Sequence, residues 1–220
     1  MKEKKVFNCE LAYLVGIVVL ALGTAFMEKA DFGMSMIVAP AYIIYLKVSQ
    51  SLEFFTFGMS EYIFQLFLLI LLSAIMRKFK KMYILSFVTT IIYGAVLDAL
   101  MKIIDLFPYE GRVWQLVFYG LGLVICATGV ALLFRAHYPP ESYELLVKEI
   151  SDKYKLSLSK VKTVYDCSSC AFAIVLSLAF FRTFVGVKWG TIICALVNGW
   201  LIGRIGVGLD KSFEFKKKYK

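Results

Sequence analysis

Charge is scarce in this chain of 220 residues: 19% are Asp, Glu, Lys or Arg, while 60% are hydrophobic. A soluble domain has roughly a quarter of its residues charged and about half apolar. Mean hydropathy is +0.74, and long stretches carry almost no charge. A soluble domain, a disordered chain and a disulfide-stapled mini-protein are thereby excluded. Histidine occurs once, as His137, so no histidine pair can hold a metal. Cysteine occurs five times, at 9, 126, 167, 170 and 194. The count is odd and most of these positions lie in apolar stretches, which argues against a secreted disulfide framework. There is no second CxxC, no phosphate-binding glycine loop, no GxSxG and no HExxH. No cofactor, no metal and no enzyme activity are therefore expected.

What is present is a series of apolar runs. A helix rises about 1.5 Å per residue, so crossing roughly 30 Å of hydrocarbon takes about 20 residues. Segments 11–29, 61–76, 82–104, 113–134, 163–181 and 187–206 meet that test. The second is short, and its start is expected nearer Phe54. The apolar segment 34–48 contains Pro40 and is too short to cross comfortably, which makes it re-entrant or interfacial. The opening Met-Lys-Glu-Lys-Lys before an apolar run resembles a signal peptide, but no clean cleavage site follows and further spans do. An uncleaved first helix is expected.

Basic residues exceed acidic ones by 25 to 16, a net charge of +9. In an integral membrane protein such a surplus records orientation rather than nucleic-acid binding. With a cytoplasmic N-terminus and six spans, 19 basic residues fall inside, including Lys2, Lys4 and Lys5, Arg77–Lys81, and the Lys-rich tail; six fall outside. A full crossing by 34–48 would put the Arg77–Lys81 cluster outside. The expected product is a multi-pass protein of the cell (inner) membrane with both termini cytoplasmic.

The halves 1–110 and 111–220 resemble each other at an offset of about 106. Gly16, Gly23, Ala25 and Ala30 align with Gly122, Gly129, Ala131 and Ala136; nearby, Gly94 aligns with Gly199 and Asp105 with Asp210. Each half reads as a long helix, a short non-spanning segment (34–48, then 140–155) and two more spans. Three spans per half is odd, so the second half would sit upside down. The expected fold is all-α: six transmembrane helices as two inverted three-helix repeats, with short non-spanning helices. Gly16/Gly23 and Gly122/Gly129, and the GxxxG pairs Gly186/Gly190 and Gly199/Gly203, suit close helix packing.

Ionisable groups within spans are costly and so are candidates for function. Asp98 reads either as a functional group or as a partner for Lys102, four residues on. Glu61 and Gln65 are likewise neighbours, while Glu28 and Asp31 fall at a span end. Pro139 and Pro140 end one helix and can open another, with Glu141 in its first turn. From there Tyr143, Val147, Ile150, Tyr154, Leu158, Val161 and Tyr165 recur at helical spacing. They predict an amphipathic helix in the cytoplasmic interface, broken near Leu156–Ser159. Lys162 and Asp166 either pair at the membrane edge or line a polar pocket with Glu141 and Glu144. Cys167-Ser-Ser-Cys170 is a CxxC that could exchange disulfides or simply pack.

The order of these features resembles the YczE/YyaS/YitT group of bacterial membrane proteins, especially its YczE-like branch. The resemblance rests on Ala21–Ala25, Ala30–Ser35, Pro140-Glu141, Lys162, Asp166 and Gly186–Thr191 leading to Gly199. It implies a bacterial inner-membrane protein of a group whose members are mostly of unknown function. The expected protein is a small transporter or permease binding a small molecule between its halves, at Glu141, Tyr143, Glu144, Lys162, Asp166, Thr191, Asn198 and Asp98. The alternatives are an accessory, regulatory or substrate-binding membrane subunit, and a thiol oxidoreductase using Cys167 and Cys170. The bilayer is the first expected partner, followed by a second membrane protein or a homodimer.

Overall fold

The computed structural model describes residues 5–33, 35–106 and 111–216. Met34 and the terminal Lys2, Lys4, Lys217, Lys218 and Lys220, used in the readings above, lie outside the described residues, as does the junction of the halves at 107–110. Six long apolar helices capable of crossing a membrane make up the body: α1 (Cys9–Lys29), α3 (Phe57–Met76), α4 (Lys81–Asp105), α5 (Arg112–Arg135), α7 (Leu158–Phe181) and α8 (Trp189–Ser212). Two short helices, α2 (Ala39–Val48) and α6 (Ser142–Tyr154), complete an all-helical membrane protein. A small addition is a parallel strand pair, β1 (Lys5–Asn8) with β2 (Phe213–Lys216), which joins the two ends of the chain on one face. Neither strand is expected from the residue pattern.

Local chemistry sets the boundaries. Thr56 caps α3, its hydroxyl accepting from the Met59 amide at 3.3 Å, which moves the start of that span upstream to Phe57. Pro40 sits in the first turn of α2, where its missing N–H costs nothing. Arg77, Lys155 and Arg182 end α3, α6 and α7 in the left-handed region, and Lys155 makes the break expected before Leu158.

Contacts fix the directions. Gly23 lies against the backbone of Cys126, Gly129 against Leu20, and Gly16 against Leu133, so α1 and α5 run antiparallel at very close approach. Ser159 and Thr163 lie against Gly199, and Cys167 lies beside Ala195, so α7 and α8 are also antiparallel. Lys29 pairs with Asp105 at 2.8 Å where α1 and α4 end together, and Arg135 pairs with Asp210 at 2.6 Å where α5 and α8 end together. The second of these ends lies on the face of the chain termini and the first on the opposite face.

These contacts come in sets. Tyr13 packs against Tyr138 at a tilt and Tyr119 meets Phe32 edge to face, and the two pairs match at an offset of 106, Tyr13 with Tyr119 and Phe32 with Tyr138. Lys29–Asp105 and Arg135–Asp210 match in the same way, at offsets of 106 and 105. The short helix α2 packs on α3 and α7, and α6 packs on α7 and α3.

Two expectations need correction. The helix α6 does not lie along a surface: every residue from Glu141 to Val147 is buried, and an exposed side begins only at Asp152. Its N-terminal half is inserted into the bundle against α3, α4 and α7, because the exposed Lys and Asp residues cluster in its last turns. Gly186 is not half of a helical GxxxG pair. It lies in the loop before α8 with φ of 73°, a conformation open to glycine, while Gly190 in α8 lies against Phe32.

Candidate functional site

The inserted end of α6 meets the middle of the bundle. Lys162, on α7, is fully buried; its ammonium pairs with Glu144 Oε1 at 2.7 Å and with Asp166 Oδ1 at 2.9 Å, one helical turn along. It also lies over the Tyr165 ring, 5.7 Å from the centroid. Asn198 on α8 reaches Asp166 with its amide nitrogen at 3.5 Å. On the other side of α6 the Tyr143 hydroxyl donates to Glu61 Oε1 at 2.8 Å, and Gln65 donates to the same oxygen at 3.1 Å. Thr90 of α4 donates to Gln65 at 2.6 Å. A polar chain thus runs from α4 through α3 and α6 to α7 and α8, in a bundle whose outside is apolar.

Glu141 stands apart from this chain. It occupies the position before the first turn of α6, yet its side chain does not cap that helix. It is buried, and among the described residues its Oε1 has no hydrogen-bond partner. Burial raises its pKa well above the ordinary carboxyl range of about 4.5; Glu144 and Glu61 push the same way, and Lys162 opposes them.

These groups surround an internal cavity of about 30 Å³, enough for one or two waters. Glu61, Glu141, Tyr143, Glu144, Lys162 and Asn198 supply its polar wall. Leu20, Met27, Met36 and Val130 supply an apolar one, with Tyr93, Cys126 and Cys194 between them. Four carboxyls face one lysine, so the cluster can hold added positive charge or protons but not an anion.

Six of the expected site residues therefore come together: Glu141, Tyr143, Glu144, Lys162, Asp166 and Asn198. The alternative of a pair at the membrane edge is displaced for Lys162 and Asp166, because α6 covers them. Two residues are corrected. Thr191 is buried, but its hydroxyl accepts the Lys188 amide at 3.4 Å in the first turn of α8, so it serves the helix start and does not line the cavity. Asp98 is on the exposed side of α4, away from the cluster, and among the described residues it forms no ion pair with Lys102. A spacing of four places two residues on one helix face without saying which way that face turns.

Glu61, Tyr93 and Cys126 are cavity residues that the sequence reading did not place there; the Glu61/Gln65 spacing was the available signal. His137 is exposed in the left-handed turn after α5, outside the cavity. Cys167 and Cys170 are free thiols; Cys167 lies 3.6 Å from the Ala195 carbonyl, and Cys170 is buried in an apolar cluster with Met36 and Ala173.

Six membrane-spanning-capable helices around a buried polar cluster define a small multi-pass α-helical membrane protein. The chain belongs to the Family of unknown function DUF6198, which matches it over residues 7–206. It is 24% identical over 211 residues to "Uncharacterized protein YyaS" of Bacillus subtilis (strain 168), a match covering 94% of this chain and 96% of that one. No solved structure matches the chain significantly.

Proposed function

We propose that this chain is a small transporter or permease of two inverted halves, with both termini in the cytoplasm, which binds a cationic or zwitterionic small molecule in the central cavity. The observation that carries the reading is an internal cavity in the middle of the bundle, walled by three carboxyls and one lysine drawn from α3, α6 and α7, with Asp166 paired behind the lysine. Polar groups placed there are expensive in a membrane protein and are unexplained by packing alone.

The matched ring pairs and ion pairs support the inverted arrangement, since within each set the residues of one contact lie about 106 positions from those of the other and at the opposite face. Two halves that can exchange conformations would open the cavity first to one side and then to the other. The ion pairs Lys29–Asp105 and Arg135–Asp210 would then latch opposite faces. The distribution of basic residues supports a cytoplasmic location for both termini.

Uptake of radiolabelled guanidinium, choline or alanine into proteoliposomes tests this. At least one is expected to enter with the wild type. That uptake should fall about tenfold or more in Asp166→Asn and in Glu141→Gln, since about 1.4 kcal/mol of lost interaction already gives a factor of ten. Uptake undiminished in both variants would remove this cavity as the site.

A further inference from the structure

The cavity wall is one-sided in its hydrogen bonding. Among the described residues, four buried side-chain oxygens around it have no hydrogen-bond partner: Glu61 Oε2, Glu141 Oε1, Glu144 Oε2 and Asn198 Oδ1. As carboxylate and amide oxygens all four accept, so a group that binds them is one that donates. A primary ammonium offers three N–H donors and no acceptor. The protein already holds one such group here: the Lys162 ammonium, between Glu144 and Asp166 and over the Tyr165 ring. The wall facing the carboxyls is apolar, with Leu20, Met27, Met36 and Val130, and suits a short alkyl tail rather than a second charge.

The charges are unequally answered. Lys162 serves Glu144 and Asp166 together, and Glu61 accepts from Tyr143 and Gln65. Among the described residues, Glu141 is the carboxyl of this group with neither an ion pair nor a donor at its Oε1. An isolated buried carboxylate costs several kcal/mol, and protonation is the usual escape.

We propose, resting on the transport reading above, that the cargo is a small primary ammonium cation and that it exchanges for a proton held on Glu141. The proton leaves the Glu141 carboxyl for the solution as the ammonium enters. The carboxylate left behind pairs with the ammonium, and the charge of the closed cavity is unchanged. The groups facing Glu141 are Tyr13 of α1, Glu61 of α3, Tyr93 of α4, Cys126 of α5, Tyr143 and Glu144 of α6 and Lys162 of α7, with Asp166 behind it and Cys194 of α8 across the cavity. Of these only Lys162 is cationic, and it is already shared.

Calorimetric titration of methylammonium into the detergent-purified full chain tests the exchange. Running it in two buffers of different ionisation enthalpy counts the protons released. The wild type is expected to release about one proton per cation bound, by linkage. Glu141→Gln should bind without release, and Glu141→Asp, which keeps an acid, should restore it. With the wild type alone, affinity should rise about tenfold per pH unit while Glu141 is protonated and level off above that range. Undiminished release in Glu141→Gln, or an affinity flat with pH, overturns the exchange. No methylammonium binding by the wild type overturns the ammonium assignment and leaves the transport reading to its own uptake measurement. Binding and release without any methylammonium uptake into proteoliposomes removes the transport reading alone.

Discussion

Lys162→Met is expected to lower the stability of the purified protein by about 3–5 kcal/mol, the usual cost of removing one partner from a buried charge network. Lys162 and Asp166 are fully buried and Glu144 is 2% exposed. Water therefore cannot replace the lost ammonium. Two carboxyls, Glu144 and Asp166, would be left buried with no cation between them, and Glu141 lines the cavity beside Glu144. The diagnostic result is the rescue. The triple variant Lys162→Met/Glu144→Gln/Asp166→Asn removes the charges together, and its melting temperature in detergent should return most of the way to that of the wild type. A Lys162→Met protein that melts with the wild type would show that the network does not hold the bundle together. A triple variant as unstable as the single one would assign the loss to packing instead.

Gly23→Leu is expected to abolish folded protein, and Gly129→Leu to do the same. A Cβ on Gly23 would stand 2.3 Å from the Cys126 backbone nitrogen, and one on Gly129 would stand 2.4 Å from that of Leu20. In both cases the obstacle is backbone, which cannot turn aside as a flexible side chain can. Ordinary overpacking costs about 1–3 kcal/mol. Here the α1–α5 contact itself would have to separate, which exceeds that range. Gly120→Ala, on the same helix α5 with nothing within 4 Å of its added carbon, should leave yield and melting unchanged. A monodisperse Gly23→Leu protein at wild-type yield would contradict the close approach of these two helices.

These two sites also show what the sequence could convey. The row Gly16, Gly23, Gly122 and Gly129 was legible as close helix packing because small residues seven apart share a helix face, but nothing in the spacing said that α1 packs on α5. The Lys162/Asp166 pair was legible for the same reason. Glu144 could be joined to it only by supposing that α6 folds back, and the periodicity of that helix suggested a surface position instead. Amphipathic spacing says that a helix has two faces; it does not say that the polar one faces water. That is why the inserted half of α6, with its polar groups turned to Lys162 and Glu61, was misplaced. Asp98 and Thr191 fail on the same point, since the type of residue was informative but the direction was not. The β1–β2 pair left no trace because each strand has only four residues and pairs across the whole length of the chain.

Cys126 offers the most direct measurement of the central claim, which is access to the cavity from both sides of the membrane. It lines the cavity on α5, near the middle of the bundle. A variant keeping Cys126 alone carries Cys9→Ala, Cys167→Ser, Cys170→Ala and Cys194→Ala. It can be labelled with a membrane-impermeant thiol reagent in right-side-out and in inverted vesicles. Alternating access predicts labelling in both preparations. Labelling from one face only, or from neither, would contradict it.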